Sequence, residues 1–186
     1  MTIQFARIPL FATLMTAALI YSAPACSQEY IFLPPFETNS SGTITGTVTE
    51  AGLENSIEVL SFQHELFNEV NAKSGSTGIT TQHSVVTITK ELDRATPFLV
   101  DTLVKNGTIF SLTFLFFRTD PLGEKFESFS ITLEEAQVSH IRHEKPDDRQ
   151  SRTREYVSFS YDKITWEAMP FGFLAFDSWQ QTRRAR

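Results

Sequence analysis

Residues 108–118 read Thr-Ile-Phe-Ser-Leu-Thr-Phe-Leu-Phe-Phe-Arg. A run this rich in aromatic and β-branched residues belongs in a strand. Side chains alternate across a strand, so Phe110, Leu112, Phe114 and Phe116 share one face, while Ile109, Leu115 and Phe117 share the other with Ser111 and Thr113. Both faces are apolar, and such a strand has to be covered on both, by a helix or by another subunit.

The cover on one side stands immediately upstream. Thr96 is placed to cap a helix N-terminus, Pro97 fits the first helical position, and Asn106-Gly107 supplies a left-handed end. Between them Leu99, Val100, Leu103 and Val104 recur at helical spacing, which predicts one helix over about residues 96–106. The residues before it, 84–90, are β-branched and read as a strand.

Further strands are expected at 28–38, broken by Pro34-Pro35, and at 43–49, 57–62, 125–133 and 137–143. A last strand spans 155–167, with a kink at Asp162. Residues 63–81 read as a long loop with serine and glycine at its centre, a length that usually signals function. Residues 144–154 form a charged connection, and 169–186 a tail that mixes Phe171, Phe173, Phe176 and Trp179 with a basic end. About eight strands with one helix make a mainly β fold, a barrel or sandwich with a single flanking helix. A chain of 186 residues with 41% hydrophobic residues and 17 Phe has ample material for that core.

The first residues stand apart. Arg7, an apolar run over 8–21 and the Ala23-Pro24-Ala25 site describe a secretory signal peptide, predicted over 1–25. The run is too short for a membrane-spanning helix of ~20 residues, so no integral span is expected in the mature chain. Cys26 directly after the site leaves lipoprotein processing open, although Ala23 stands where that signal usually has an aliphatic residue. As the only cysteine, Cys26 also excludes an intrachain disulfide and any cysteine-based metal cluster.

Chemistry-bearing motifs are sparse. His140 and His143 beside Glu144 could share a helix face, but in a strand they point to opposite faces. His83, Ser84 and Asp93 can be written as a triad, yet no nucleophile-elbow glycines flank the serine. His64 adjoins Glu65, and Gly75 and Gly78 lack the lysine and helix start of a phosphate loop. No catalytic, cofactor-binding or metal-ligating residue is therefore expected, and no enzyme. A net charge of −6 with no basic stripe argues against nucleic acid as a partner.

The order of the remaining motifs resembles a known family. Ile57-Glu58-Val59-Leu60-Ser61-Phe62 and His83 are followed by Thr89-Lys90-x-Leu92-Asp93-x-Ala95-Thr96-Pro97-x-Leu99, then by Asn106-Gly107. The closing strand is Val157-Ser158-Phe159-Ser160-Tyr161-Asp162-Lys163-Ile164-Thr165-Trp166. Together these are similar to the Hcp (haemolysin-coregulated protein) family, the inner-tube proteins of bacterial type VI secretion. The match spans roughly residues 46–168, within a domain expected over 28–168 with a tail at 169–186.

The resemblance implies a two-sheet β-barrel with one flanking helix, assembled as homo-hexameric rings. Stacked rings would form a tube that carries effectors in its lumen, works with sheath and spike proteins and needs no cofactor. It also implies that residues 63–82 help rings to stack. Tube proteins usually have no signal peptide. The predicted one points to a secreted or periplasmic chain, and opens the alternative of a ring-forming paralogue that acts as a binding module or effector.

Overall fold

The structure is a computed structural model that describes residues 28–70 and 77–179, with backbone alone for 69, 70 and 77–80. The predicted signal segment, Cys26, the 73–76 centre of the long loop and the basic end at 183–186 lie outside the described residues. The strands before the helix are β1 (Glu29–Leu33), β2 (Phe36–Thr38), β3 (Gly42–Ile44), β4 (Ile57–Val59), β5 (Ser61–Gln63), β6 (Leu66–Val70), β7 (Thr77–His83) and β8 (Val86–Glu91). After the helix, α1 (Thr96–Val104), come β9 (Thr108–Thr119), β10 (Lys125–Glu144), β11 (Arg154–Ser160), β12 (Lys163–Ala168) and β13 (Phe173–Ser178). The fold is mainly β with one flanking helix.

Everything hangs on the β9–β10 hairpin, which pairs antiparallel from Thr119–Lys125 down to Thr108–Gln137. On its outer edge β10 changes partner. Phe129 to Glu134 pair with β12, and Gln137 to Glu144 pair with β11. The residue between these segments, Glu135, has φ 50°, a left-handed conformation that a glutamate rarely adopts. It marks a corner. One half of the sheet continues through β12 to β13, the other through β11 to β8 and β5. On the opposite edge β9 pairs with β1 over Arg118 to Leu115 and with β2 at Ile109.

The corner explains two departures from simple alternation. Residues 125–133 and 137–143, expected as separate strands, are one continuous strand of 20 residues. Phe110, expected beside Leu112 and Phe114, is instead 52% exposed, while Ile109, Leu112 and Phe114 are fully buried. The phase slips on β10 as well, where the buried set runs Ile131, Leu133, then Ala136 and Val138. The strict alternation of β9 holds only on one side of Glu135, because the left-handed residue turns both strands.

The strand expected at 57–62 also breaks. Ile57 to Val59 pair with β1, and Ser61 to Gln63 pair with β8. At Leu60 the covalent chain passes from one half of the sheet to the other. The hydrogen-bonded path therefore runs open from β3 to β5, and a barrel describes the shape only approximately. Strand 43–49 ends early, at Ile44. Residues 46 and 48 continue as a loop held by backbone bonds to 55 and 56. Glycine is required at 46, because a Cβ there would overlap the Ser56 carbonyl.

The long loop resolves into the arms of a hairpin. β6 and β7 pair with each other, Leu66 opposite His83 and Phe67 opposite Gln82, in a ribbon separate from the main sheet. The tail contributes a strand: β13 pairs along the whole of β12, from Lys163–Ser178 to Ala168–Phe173.

The helix is shorter than expected at its end and differs at its start. Ala95 is the N-cap, with no side-chain cap bond, and Thr96 is already helical. Asp93 fixes the turn that enters the helix, its Oδ1 accepting the N–H of Ala95 at 3.0 Å. At the C-terminus Asn106 takes the left-handed conformation with φ 54°. The Gly107 N–H bonds the Thr102 carbonyl at 2.8 Å and the Asn106 N–H bonds the Leu103 carbonyl at 3.1 Å, a Schellman ending. Leu99 is fully buried and Leu103 packs against the core, but Val104, expected on the same stripe, is 78% exposed. The helix faces β10 with a narrow stripe, and Thr102 rather than Val104 completes it.

Candidate functional site

Two polar clusters and one apolar surface stand out from this frame. The first grows from strand alternation. On β8, Val86, Ile88 and Lys90 share the inward face, and on β11 Glu155, Val157 and Phe159 do the same. The antiparallel register sets Lys90 directly opposite Glu155, in line with Ile88–Val157 and Val86–Phe159. Two charges thus sit where the core continues, and both side chains are buried.

Burial of an unpaired charge is prohibitive, so each must find partners. Lys90 Nζ donates to Glu155 Oε2 at 2.6 Å, to Asp93 Oδ1 at 2.8 Å and to the Glu91 carbonyl at 2.8 Å. Glu155 also accepts from Thr96 Oγ1 at 2.9 Å, and its Oε1 lies 2.9 Å from His143 Nε2. Burial alone would raise the Glu155 pKa. The Lys90 and His143 hydrogen bonds, the Lys90 charge and Thr96 outweigh it and hold the carboxyl below its usual range. The cluster ties β8, β11, the end of β10 and the first turn of α1 into one unit. Arg94, in the same junction, reaches the other way: its Nε bonds the Gly46 carbonyl at 2.5 Å and its Nη2 bonds Asn55 Oδ1 at 2.5 Å.

The second cluster lies at the root of the β6–β7 hairpin. His64 Nε2 is 2.6 Å from the Tyr161 hydroxyl, and His83 Nδ1 is 3.1 Å from the same oxygen. His83 Nε2 lies 3.2 Å from Asp177 Oδ2 on β13. Trp179 stacks on the His83 ring with centroids 5.8 Å apart, and Trp166 lies 6.0 Å from the His64 ring. Burial, and secondarily the neighbouring His83, push the His64 pKa below its usual 6.5. Burial, with Asp177 nearby, drives the Tyr161 phenol well above its usual range. A phenol held neutral in this way is a hydrogen-bond hub and a poor nucleophile.

The third feature is exposed apolar surface. Phe171, Phe173 and Phe176 are 84%, 78% and 64% exposed, and they gather on or beside β13. Among the described residues this strand pairs only with β12, and none of them covers its outer edge. Leu66 and Phe67 are exposed on the hairpin.

These clusters rearrange the residues singled out from the sequence. His83, Ser84 and Asp93 are not brought together. His83 faces Tyr161 and Asp177, the Ser84 hydroxyl accepts the Glu65 N–H at 2.8 Å, and Asp93 sits on Lys90. His64 turns to Tyr161 rather than to Glu65. His143 bonds Glu155, while His140 lies opposite Ser158 in the ladder. Lys90 and Tyr161 stand in the family motifs without a site role, and Glu155 and Asp177 have none in the sequence either. For Lys90 and Glu155 a signal was present: each continued an alternating apolar face.

The family model described as "Type VI secretion system effector, Hcp" matches residues 37–168. The chain belongs to the Hcp family. That match includes the whole Lys90–Glu155 cluster and the hairpin root, but ends before Asp177 and Trp179. Among curated relatives, the "Major exported protein" of Pseudomonas aeruginosa is 27% identical over 140 residues, spanning 73% of this chain and 81% of the relative.

Solved Hcp structures share the fold. A crystal structure of an Hcp protein superposes with a TM-score of 0.75 at 24% identity, covering 82% of this chain and 99% of that one. Hcp1 of E. coli EAEC 042 gives 0.71 at 26% identity, covering 81% and 97%. The secreted protein Hcp3 of Pseudomonas aeruginosa gives 0.66 at 24%, covering 82% and 99%.

Proposed function

We propose that this Hcp-family chain is a structural subunit of a type VI secretion tube. It assembles into hexameric rings that stack, carry small effectors in the lumen and meet sheath and spike proteins at the tube's surfaces and end. It acts by assembly and catalyses nothing. It is exported, and where the predicted signal over 1–25 is used it passes through the periplasm.

The observation that supports this reading, beyond family membership, is the surface of β13. An open edge strand flanked by Phe171, Phe173 and Phe176, each more than half exposed, is a liability for a solitary subunit. It is the kind of surface that a ring subunit buries against its neighbour. The exposed Phe67 on the projecting hairpin offers a second, separate contact suited to stacking.

Negative-stain microscopy and light scattering of the chain test the proposal. Rings of six subunits are expected, and a strict monomer at high concentration refutes it. Phe173→Asp changes an exposed side chain, so subunit stability should move by less than about 0.5 kcal/mol while rings are lost. N-terminal sequencing of protein recovered from periplasm and medium tests the export route.

A further inference from the structure

The β6–β7 ribbon is not part of the main sheet, so its attachment to the body depends on its root. Beyond the Leu66–His83 pair, the two arms are joined once more. The Ser84 N–H donates to the Glu65 carbonyl at 3.0 Å, and the Glu65 N–H to the Ser84 hydroxyl at 2.8 Å. One histidine from each arm, His64 and His83, then reaches inward to the single Tyr161 oxygen. The His83 side chain is fully buried and also holds Asp177, which connects the root to β13. Three chain segments meet at one hydroxyl.

A tyrosine hydroxyl has one proton to give, and this fixes how the cluster can be wired. Asp177 as a carboxylate only accepts, so His83 Nε2 carries a proton. If His83 is neutral, its Nδ1 is an acceptor, the Tyr161 O–H points to it, and His64 Nε2–H donates to the Tyr161 oxygen. If both rings are charged, both donate to that oxygen, and the Tyr161 proton has to turn to the Ser84 carbonyl, 3.3 Å away. The charged state then places two imidazolium rings on one oxygen. Among the described residues Asp177 is the carboxylate bonded to a ring of this cluster; its Oδ2 faces His83 and not His64, and its Oδ1 accepts the Ser178 N–H at 2.7 Å. Tyr161 itself carries no charge, Glu65 beside His64 is exposed, and Glu135 and Asp162 line a polar cavity of about 360 Å³ together with Tyr161 and Trp179. Trp166 and Trp179 pack against the rings without offering a carboxylate.

We infer that His64 and His83 form a proton-operated clamp. Charging both rings leaves one cation uncompensated at a half-buried root, and the hairpin and β13 loosen from the body. The direction of the His64 shift agrees: its folded form prefers to stay neutral. If the hairpin helps rings to stack, acid weakens the stack. That consequence rests on the tube reading, whereas the clamp does not.

The two tryptophans report on the histidines separately, because a charged imidazole quenches a neighbouring indole. In the full chain, Trp179→Phe leaves Trp166 beside His64. Its emission is expected to fall on acidification with a midpoint below 6.5, and His64→Gln should abolish the transition. Hydrogen exchange, corrected for intrinsic rates, is compared at about pH 7.5 and about pH 5. Protection at residues 64–68, 81–84 and 173–178 should fall about tenfold relative to β9 in the parent chain and hold in His64→Gln. Tyr161→Phe removes the shared oxygen and should show the loosened pattern at both pH values.

Equal loss of protection in parent and His64→Gln, or no loss in the parent, overturns the clamp. Sedimentation on the same samples separates the two proposals. Absent rings sink the tube reading and leave the exchange result standing, while intact rings with flat exchange sink the clamp alone.

Discussion

Lys90→Met removes a charge and keeps most of the volume, so it isolates what the buried pair contributes. In the parent chain Glu155 Oε2 has Lys90 Nζ at 2.6 Å and Thr96 Oγ1 at 2.9 Å, with His143 on the other oxygen. Without Lys90 a fully buried carboxylate loses its ammonium partner, and Asp93 loses its ion pair as well. Breaking a buried pair by removing one member costs about 3–5 kcal/mol. For a chain of this size each kcal/mol is worth roughly 2–4 °C, so a melting temperature lower by roughly 6–20 °C is expected. Glu155→Gln should be milder, about 1–3 kcal/mol, since Lys90 keeps Asp93 and the Glu91 carbonyl. Lys90→Met combined with Glu155→Leu removes both charges and should cost less than Lys90→Met alone, because the orphaned charge is gone. The assay is guanidinium unfolding at subunit dilution, reading the midpoint at constant slope. Lys90→Met costing under about 1 kcal/mol, or a double variant equal to the sum of the singles, would refute the account.

Three further outcomes follow from single geometries. Gly46→Ala forces a methyl into the Ser56 backbone and should cost about 1–3 kcal/mol in the same unfolding assay, with the strain read as shifted amide resonances at 55–57. Asn106→Gly should be neutral to slightly stabilising, whereas Asn106→Val, a branched residue forced to φ 54°, should lose about 1–2 kcal/mol by the same measurement. The Glu155 carboxyl is held below its usual pKa of 4.5, so the folded chain binds fewer protons there than the unfolded one. Its contribution is complete above about pH 4.5 and is lost as pH falls through the lower folded value, and the acid limb of a stability profile should be shallower in Glu155→Gln.

Local chemistry was legible wherever one residue decides it. Asn106-Gly107 ended the helix, Pro34-Pro35 split β1 from β2, and the alternation in β8 and β9 produced strands. The failures come from causes that a linear reading does not contain. Glu135 carries no turn signature, yet its left-handed φ bends the β9–β10 hairpin and moves Phe110 to the surface. Leu60 looks like mid-strand, and only the partner change from β1 to β8 makes it a crossing point. Residues 63–81 read as a loop because the polar, weakly alternating arms of the β6–β7 hairpin pair with each other and not with the main sheet. Thr96 was read as a cap because threonine is a good one. The helix starts one residue earlier, with Ala95 as N-cap, so Thr96 is already helical and its hydroxyl donates to Glu155.

The residues that made the chain recognisable therefore do a different job from the ones that would make it assemble. Lys90, Asp93, Ala95, Thr96 and Leu99 are recognisable as a string because each has a fixed partner inside the subunit. Lys90 has Glu155, Asp93 bonds Lys90 and the Ala95 N–H, Thr96 bonds the carboxylate, and Ala95 and Leu99 fill the core. None of these partners belongs to a second subunit. These five specify the body of the fold and tolerate little change, since each is buried or paired, while Leu92 in the same string is exposed. The surfaces open to another chain lie elsewhere, on β13 and the β6–β7 ribbon, and β13 falls beyond the segment that matches the family. If rings form, their geometry is set by residues such as Phe173 and Phe67, whose exposure in the single subunit has no internal explanation. Substituting Phe173 should then abolish rings and leave the melting temperature unmoved, and substituting Lys90 should do the reverse at temperatures where the variant still folds.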